Sequence, residues 1–173
     1  MHRFNIRECK SVKVPVPLGV RIYVEKCPQT QGEEEDMSCV PYASVVGSLM
    51  YAMVCTRPDI AHAVGVFSMY MSKQGNEHWT VVKRVFRYLC GTIDHAICYQ
   101  GRDGPNRVLD VHGFVDANWA GDLDYRRSTS GYLFNLFGGV ISWMTKKHVA
   151  VALSTTEVEY MAATHASKEG VWL

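Results

Sequence analysis

The chain has 173 residues, 47% of them hydrophobic and 20% charged, which is enough apolar material for one packed domain or two small ones and excludes a wholly disordered chain. Eighteen Lys and Arg against 17 Asp and Glu leave a formal charge of +1, so a globally basic nucleic-acid coat is excluded while a local basic patch is not. The six cysteines contain no C-x2-C pair, and Cys90, His95 and Cys98 match no standard zinc spacing, so reduced thiols in an intracellular protein are expected.

Residues 1–40 are weakly patterned. Pro15, Pro17, Gly19 and Pro28 break regular elements, and Glu33 to Asp36 is a solvated acidic run, so an irregular N-terminal arm is expected. The first residues lack the apolar core of a signal peptide. Residues 37–56 carry no charge, but Pro41, Gly47, Tyr42 and three serines suit a buried helix better than a membrane span.

Residues 41–106 read as a helical segment. Val45, Val46, Leu49, Met50 and Met53 recur at helical spacing, with Pro41 at a first helical position. Pro58 restarts the chain, and Ile60, Ala63, Val64, Phe67 and Met71 form a second stripe. A break at Lys73 to Asn76 precedes a third: Trp79, Val82, Val85, Phe86 and Leu89, with Gly91 placed as the C′ residue. From residue 92 the period becomes two. Ile93, His95, Ile97 and Tyr99 alternate, then a turn at 101–106 leads into alternation over Arg107 to Asp116.

Residues 107–173 predict three antiparallel strands and a helix. Tyr132 to Phe137 is a strand, Gly138-Gly139 a two-residue hairpin turn, and Val140 to Trp143 begins the partner, which Val149 to Leu153 extends or follows. Ser154-x-x-Glu157 is a capping box, beyond which Glu159, Ala162, Ala163 and Ala166 share one small-residue face. Asp116 closes the first of these strands. If the helix packs on the sheet, Glu159 can meet Asp116. Paired carboxylates raise each other's pKa unless a cation joins them, and oxygen-only ligands suit Mg²⁺ or Mn²⁺.

The runs Asp116-Ala-Asn-Trp-Ala-Gly-Asp122, Arg126-Arg-Ser-Thr-Ser-Gly131, Gly138-Gly-Val-Ile-Ser-Trp143 and Ala152-Leu-Ser-Thr-Thr-Glu-Val-Glu159-Tyr-Met-Ala resemble the ribonuclease H domain of copia-type LTR-retrotransposon Pol polyproteins. Upstream, Pro41 to Tyr51, Thr56-Arg-Pro-Asp-Ile60 and Lys83 to Thr92 resemble the segment joining that domain to the reverse transcriptase, and the likeness covers about residues 24–173.

The resemblance implies an α+β or α/β fold: a helical connection segment, then a truncated ribonuclease H-like domain of a three-stranded meander and its first helix. It implies hydrolysis of the RNA strand of RNA–DNA hybrids by two Mg²⁺ or Mn²⁺ ions about 4 Å apart. Asp116 matches the strand ligand. Glu159 and Glu157 are both candidates for the helix ligand, with Glu159 favoured because the capping box accounts for Glu157. The third carboxylate belongs to a strand after this helix, beyond Leu173, and its absence leaves an inactive remnant or a nucleic-acid-binding module as the other reading. Without that strand, the edge around Leu109 to Val115 is expected to stay open. Arg126, Arg127, Lys146 and Lys147, near Trp119 and Trp143, are the candidate nucleic-acid contacts. Implied partners are RNA–DNA hybrid or other nucleic acid and the rest of the Pol polyprotein, including its reverse transcriptase, with no membrane.

Overall fold

A computed structural model of the chain describes residues 10–17, 22, 24–100 and 111–173. The chain divides into two compact units, Met1–His95 and Ala96–Leu173.

The first unit is helical. A 3-10 turn at Val24–Lys26 precedes α1 (Gln31–Ser38), α2 (Tyr42–Cys55), a 3-10 turn at Pro58–Ile60, α3 (Ala61–Ser68) and α4 (Asn76–Gly91). The three predicted apolar stripes meet: Val45, Val46 and Leu49 of α2, Val64 and Phe67 of α3, and Val82 and Val85 of α4 are all at most 1% exposed. Trp79 packs at the margin of this core, whereas Met50 is exposed. No single helix among the described residues is long and apolar enough to cross a membrane.

The expectation of an irregular arm over residues 1–40 fails for the described part. Thr30 caps α1, accepting from the Glu33 N–H, while the Glu33 carboxylate accepts from the Thr30 and Gln29 N–H groups. This reciprocal cap turns the acidic run into a helix. The chain before it is tied down as well. Val12, Val16 and Ile22 pack on the core, and the Arg87 guanidinium donates to the Lys10 carbonyl at 2.7 Å.

Two polar devices lock the helices. Arg57 grips Asp59 through two nitrogens at 2.9 and 2.7 Å and also reaches the Thr92 hydroxyl at 2.6 Å; Tyr88 donates to Asp59 at 2.7 Å. The Thr56 to Ile60 motif is thereby clasped to the end of α4. At the other end of α4, the fully buried His78 ring accepts the Gly75 N–H at 3.0 Å and stacks on Tyr70. Gly91 ends α4 rather than following it. A Cβ there would come within 2.9 Å of the Ser11 Cβ, so this glycine serves a close backbone approach, not a left-handed cap.

The second unit is an α+β layer: a meander of β1 (Val111–Asn118), β2 (Thr129–Leu136) and β3 (Gly139–Lys147), in the order β1-β2-β3, with α5 (Thr155–Trp172) against it. Residues 93–99 form no strand, although the Gln100 N–H reaches the Phe137 carbonyl and the Tyr99 hydroxyl the Val140 carbonyl. The predicted strand over 107–110 and the turn at 101–106 lie outside the described residues. Residues 149–153 are irregular rather than a continuation of β3.

The hairpin turn is Phe137-Gly138, one residue before the predicted pair. Leu136 pairs with Gly139, and both turn residues have positive φ, 51° and 79°. That is the combination a two-residue hairpin matching the strand twist requires. Gly139 belongs to the strand, and a Cβ there would collide with the Tyr99 ring.

Candidate functional site

The sheet register decides what faces α5. Directly opposed residues of antiparallel strands share a sheet face. Gly113 pairs with Phe134, and Phe134 with Ser142. Ser142 donates to Glu169 of α5 at 2.5 Å, and a Cβ on Gly170 would lie 3.6 Å from the Phe134 ring. This face, with Val111, Gly113, Val115 and Ala117 of β1, is the one α5 covers. Asp116 pairs with Gly131, and by alternation it shares the other face with His112, Phe114 and Asn118. Phe114 there is 59% exposed, opposite the half-buried Leu133 and Trp143.

The buried stripe of α5 is Val158, Ala162 and Ala166. Glu159 and Ala163, expected toward the sheet, are exposed. The cause is one residue of phase: Val158 is the larger apolar group and takes the buried position. His165 packs toward the end of β3, its ring 6.1 Å from that of His148. Each helical residue turns about 100°, so Glu159, Ala163 and Gly170 fall on the opposite flank, over β1. The helix starts near the Ala117 end of β1 and runs toward Gly113. Glu159 and Asp116 therefore approach the same end of β1 from different faces. Both are exposed, and among the described residues no hydrogen bond or ion pair joins them. The sequence expects the two to meet; the alternation of β1 and the phase of α5 assign them to different faces.

Glu157 is engaged in the cap. Ser154 accepts from its N–H at 3.2 Å, and its carboxylate accepts the Leu153 N–H at 2.7 Å. The reciprocal bond goes to Leu153 rather than to Ser154, one residue earlier than in an ideal capping box.

The loop between β1 and β2 ties the two acid-bearing elements together. The Trp119 indole donates to the Ala152 carbonyl at 3.1 Å, just before the start of α5. The Ala120 N–H reaches the buried Ser128 hydroxyl, and the Ser128 carbonyl accepts from His148. Ser130 meets His148 Nε2 at 2.5 Å, both groups buried beneath α5. Burial lowers the His148 pKa, and His165 and Lys146 lower it further.

The four basic candidates separate into two kinds. Lys147 forms an ion pair with Asp122 at 2.8 Å, and the Asp122 side chain is only 6% exposed. Burial pushes that carboxyl up, but Lys147 and the Tyr125 N–H outweigh it and hold it below the usual range. Arg127 lies over the Tyr125 ring, 5.2 Å from its centroid. Lys147 and Arg127 thus hold the loop. Arg126 and Lys146 are exposed. Arg126 sits at φ 54°, where the chain turns under the Asp122 carbonyl.

Asp122 and the Trp119 link are not among the residues that the sequence singles out. Asp122-x-x-Tyr125, in which a short carboxylate takes the N–H three residues on, was a visible sign of the first. Nothing local announces the second, because Trp119 and Ala152 are 33 residues apart.

Comparison with known proteins fixes the family. The chain is 50% identical over all 173 residues to the retrovirus-related Pol polyprotein from transposon TNT 1-94 of Nicotiana tabacum, covering 13% of that protein. It is 36% identical over 171 residues, 99% of its length, to the Pol polyprotein from transposon RE2 of Arabidopsis thaliana, covering 11% of that protein. It is also 52% identical over 137 residues, 79% of its length, to secreted RxLR effector protein 161 of Plasmopara viticola, covering 94% of that protein. The chain belongs to the copia-type family of retrovirus-related transposon Pol polyproteins. It spans only a small part of the length of the Pol relatives it matches. No protein-family model matches it. No solved structure matches it.

Proposed function

We propose that the second unit is the ribonuclease H-like part of a transposon Pol polyprotein and acts on the RNA strand of RNA–DNA hybrids. The observation that carries this reading is the convergence of Asp116 and Glu159, both exposed, on one end of β1. Carboxylate oxygens fit Mg²⁺ or Mn²⁺ in kind. They fall short in number: among the described residues no three His, Cys, Asp or Glu side chains form a group able to hold a metal. Asp116 and Glu159 would supply two of the oxygen ligands of a bound ion. When bound, such ions activate a water and stabilise the leaving oxygen. Glu157 keeps a structural role at the helix cap. Exposed Arg126 and Lys146 would meet phosphates, while Trp119, 47% exposed, offers a ring beside the same strand end.

A second reading, a module that binds nucleic acid without cutting it, is favoured by the two-carboxylate donor set. The test is a radiolabelled RNA–DNA hybrid incubated with the chain and Mg²⁺ or Mn²⁺, beside Asp116→Asn and Glu159→Gln. Cleavage by the parent and by neither variant supports the hydrolase. Binding without cleavage, retained in both variants, supports the module. Neither cleavage nor binding by folded protein overturns both.

A further inference from the structure

We infer that His148 and His165 form an acid-released latch, which holds the Glu159-bearing half of α5 on the sheet and lets it go when the imidazoles take up protons. The latch stands on the packing beneath α5; its consequence for Glu159 rests on the hydrolase reading. His148 follows β3 and is 5% exposed. Its Nε2 lies 2.5 Å from the Ser130 hydroxyl of β2, itself 1% exposed. Its backbone N–H donates to the Ser128 carbonyl at 2.8 Å, so ring and backbone are both fixed. The half-buried ring of His165, on α5, lies 6.1 Å away, centroid to centroid. Two imidazoles from different elements thus share the interface between helix and sheet.

Every group that acts on the His148 ring opposes a proton there. Burial does so first, then His165 from α5, then Lys146 of β3. Lys146 pairs with Ser130 and so lies on the same sheet face, while Ser130 of β2 offers only a hydroxyl. Lifting α5 removes the burial and separates the two imidazoles, so proton uptake favours the lifted helix. The helix is lightly held at this point. Its buried stripe is Val158, Ala162 and Ala166, and alanine methyls bury little apolar area. Further along, Ser142 donates to Glu169 at 2.5 Å and Gly170 lies beside the Phe134 ring. That contact anchors the C-terminal half, and the turns carrying Val158 and Glu159 are the part that protonation lifts. In acid, Glu159 leaves the end of β1, and the site loses one of its two carboxylates.

The experiment is hydrogen exchange of the full chain, without metal or nucleic acid, as pH is lowered from about 8 through 6.5 and below. Rates are corrected for the intrinsic pH dependence of exchange. Below about pH 6.5, α5 amides between Val158 and Ala166 should lose protection by up to about tenfold per pH unit for each proton taken up on release. Amides of β2 and β3 should keep theirs. His148→Gln should abolish the loss, and His165→Gln, which removes the facing imidazole, should move it to lower pH. Imidazole proton resonances of the unchanged chain give a second reading that needs no variant: that of His148 should titrate together with the loss of α5 protection. Protection of α5 that is independent of pH, or that falls equally in His148→Gln, overturns the latch. A loss shared equally by β2, β3 and α5 also overturns it, because it marks unfolding of the whole unit. No hybrid takes part, so absent cleavage at neutral pH with α5 still released in acid strikes the hydrolase reading alone.

Discussion

The indole Nε1 of Trp119 donates to the Ala152 carbonyl at 3.1 Å, joining the exit of the strand that carries Asp116 to the approach of the helix that carries Glu159. It is the described side-chain link between the two acid-bearing ends. Trp119→Phe keeps most of the ring and removes the donor. The expected loss is about 1 kcal/mol of stability, since the Ala152 carbonyl loses its partner. If the hydrolase reading holds, cleavage should fall further than the stability change explains. Thermal melting and hybrid cleavage, measured on the same samples, check this.

Lys147 and Lys146 are adjacent and should behave differently. Lys147→Ala strips the cation from a carboxylate that is 6% exposed, and roughly 1–3 kcal/mol should be lost. Lys146→Ala should leave the melting temperature unchanged. If Lys146 meets phosphate, the slope of log affinity against log salt should shrink by about 1. Urea denaturation and filter binding across a salt series separate the two effects.

The Arg57 clasp should govern the first unit. Asp59→Asn breaks the ion pair and leaves a guanidinium that is 11% exposed with weaker acceptors, at a cost of about 1–3 kcal/mol. Tyr88→Phe removes one bond to the same carboxylate and should cost about 1 kcal/mol. Because both variants act on Asp59, the double variant should lose less than the sum. A double-mutant cycle by denaturant unfolding measures the shortfall.

Acid should loosen the second unit through His148. Its pKa in the fold lies below the ordinary 6.5, mainly because the ring is buried, then because of His165 and Lys146. The unfolded chain therefore takes up the proton first. Stability is complete above pH 6.5 and falls as pH drops through the lower folded value. His148→Gln should flatten this dependence below about pH 6.5. Melting temperatures recorded across that range check it; an unchanged slope would remove His148 as the source.

Much of the architecture was legible in the sequence because it rests on periodicity. Val45, Val46, Leu49, Val64, Phe67, Val82 and Val85 announce their burial by helical spacing, and the structure buries all seven. The three-stranded meander and the start of α5 were also legible, one from alternation and turn residues, the other from Ser154-x-x-Glu157. Alternation misled at Ile93 to Tyr99, which form no strand. An acidic run misled at Glu33 to Asp36, where Thr30 supplies a cap that composition conceals.

The sequence by itself determined the helical stripes, the order of the strands, the family likeness and the identity of the two candidate carboxylates, because these depend on residues near one another in the chain. The tertiary structure alone decided which face each carboxylate takes. The pleat of β1 turns Asp116 away from α5, and the burial of Val158 turns Glu159 outward. It also decided that Lys147 belongs to Asp122 and that Trp119 belongs to Ala152. Such pairings join residues tens of positions apart, and only the closing of the sheet and the docking of the helix bring their atoms within bonding range.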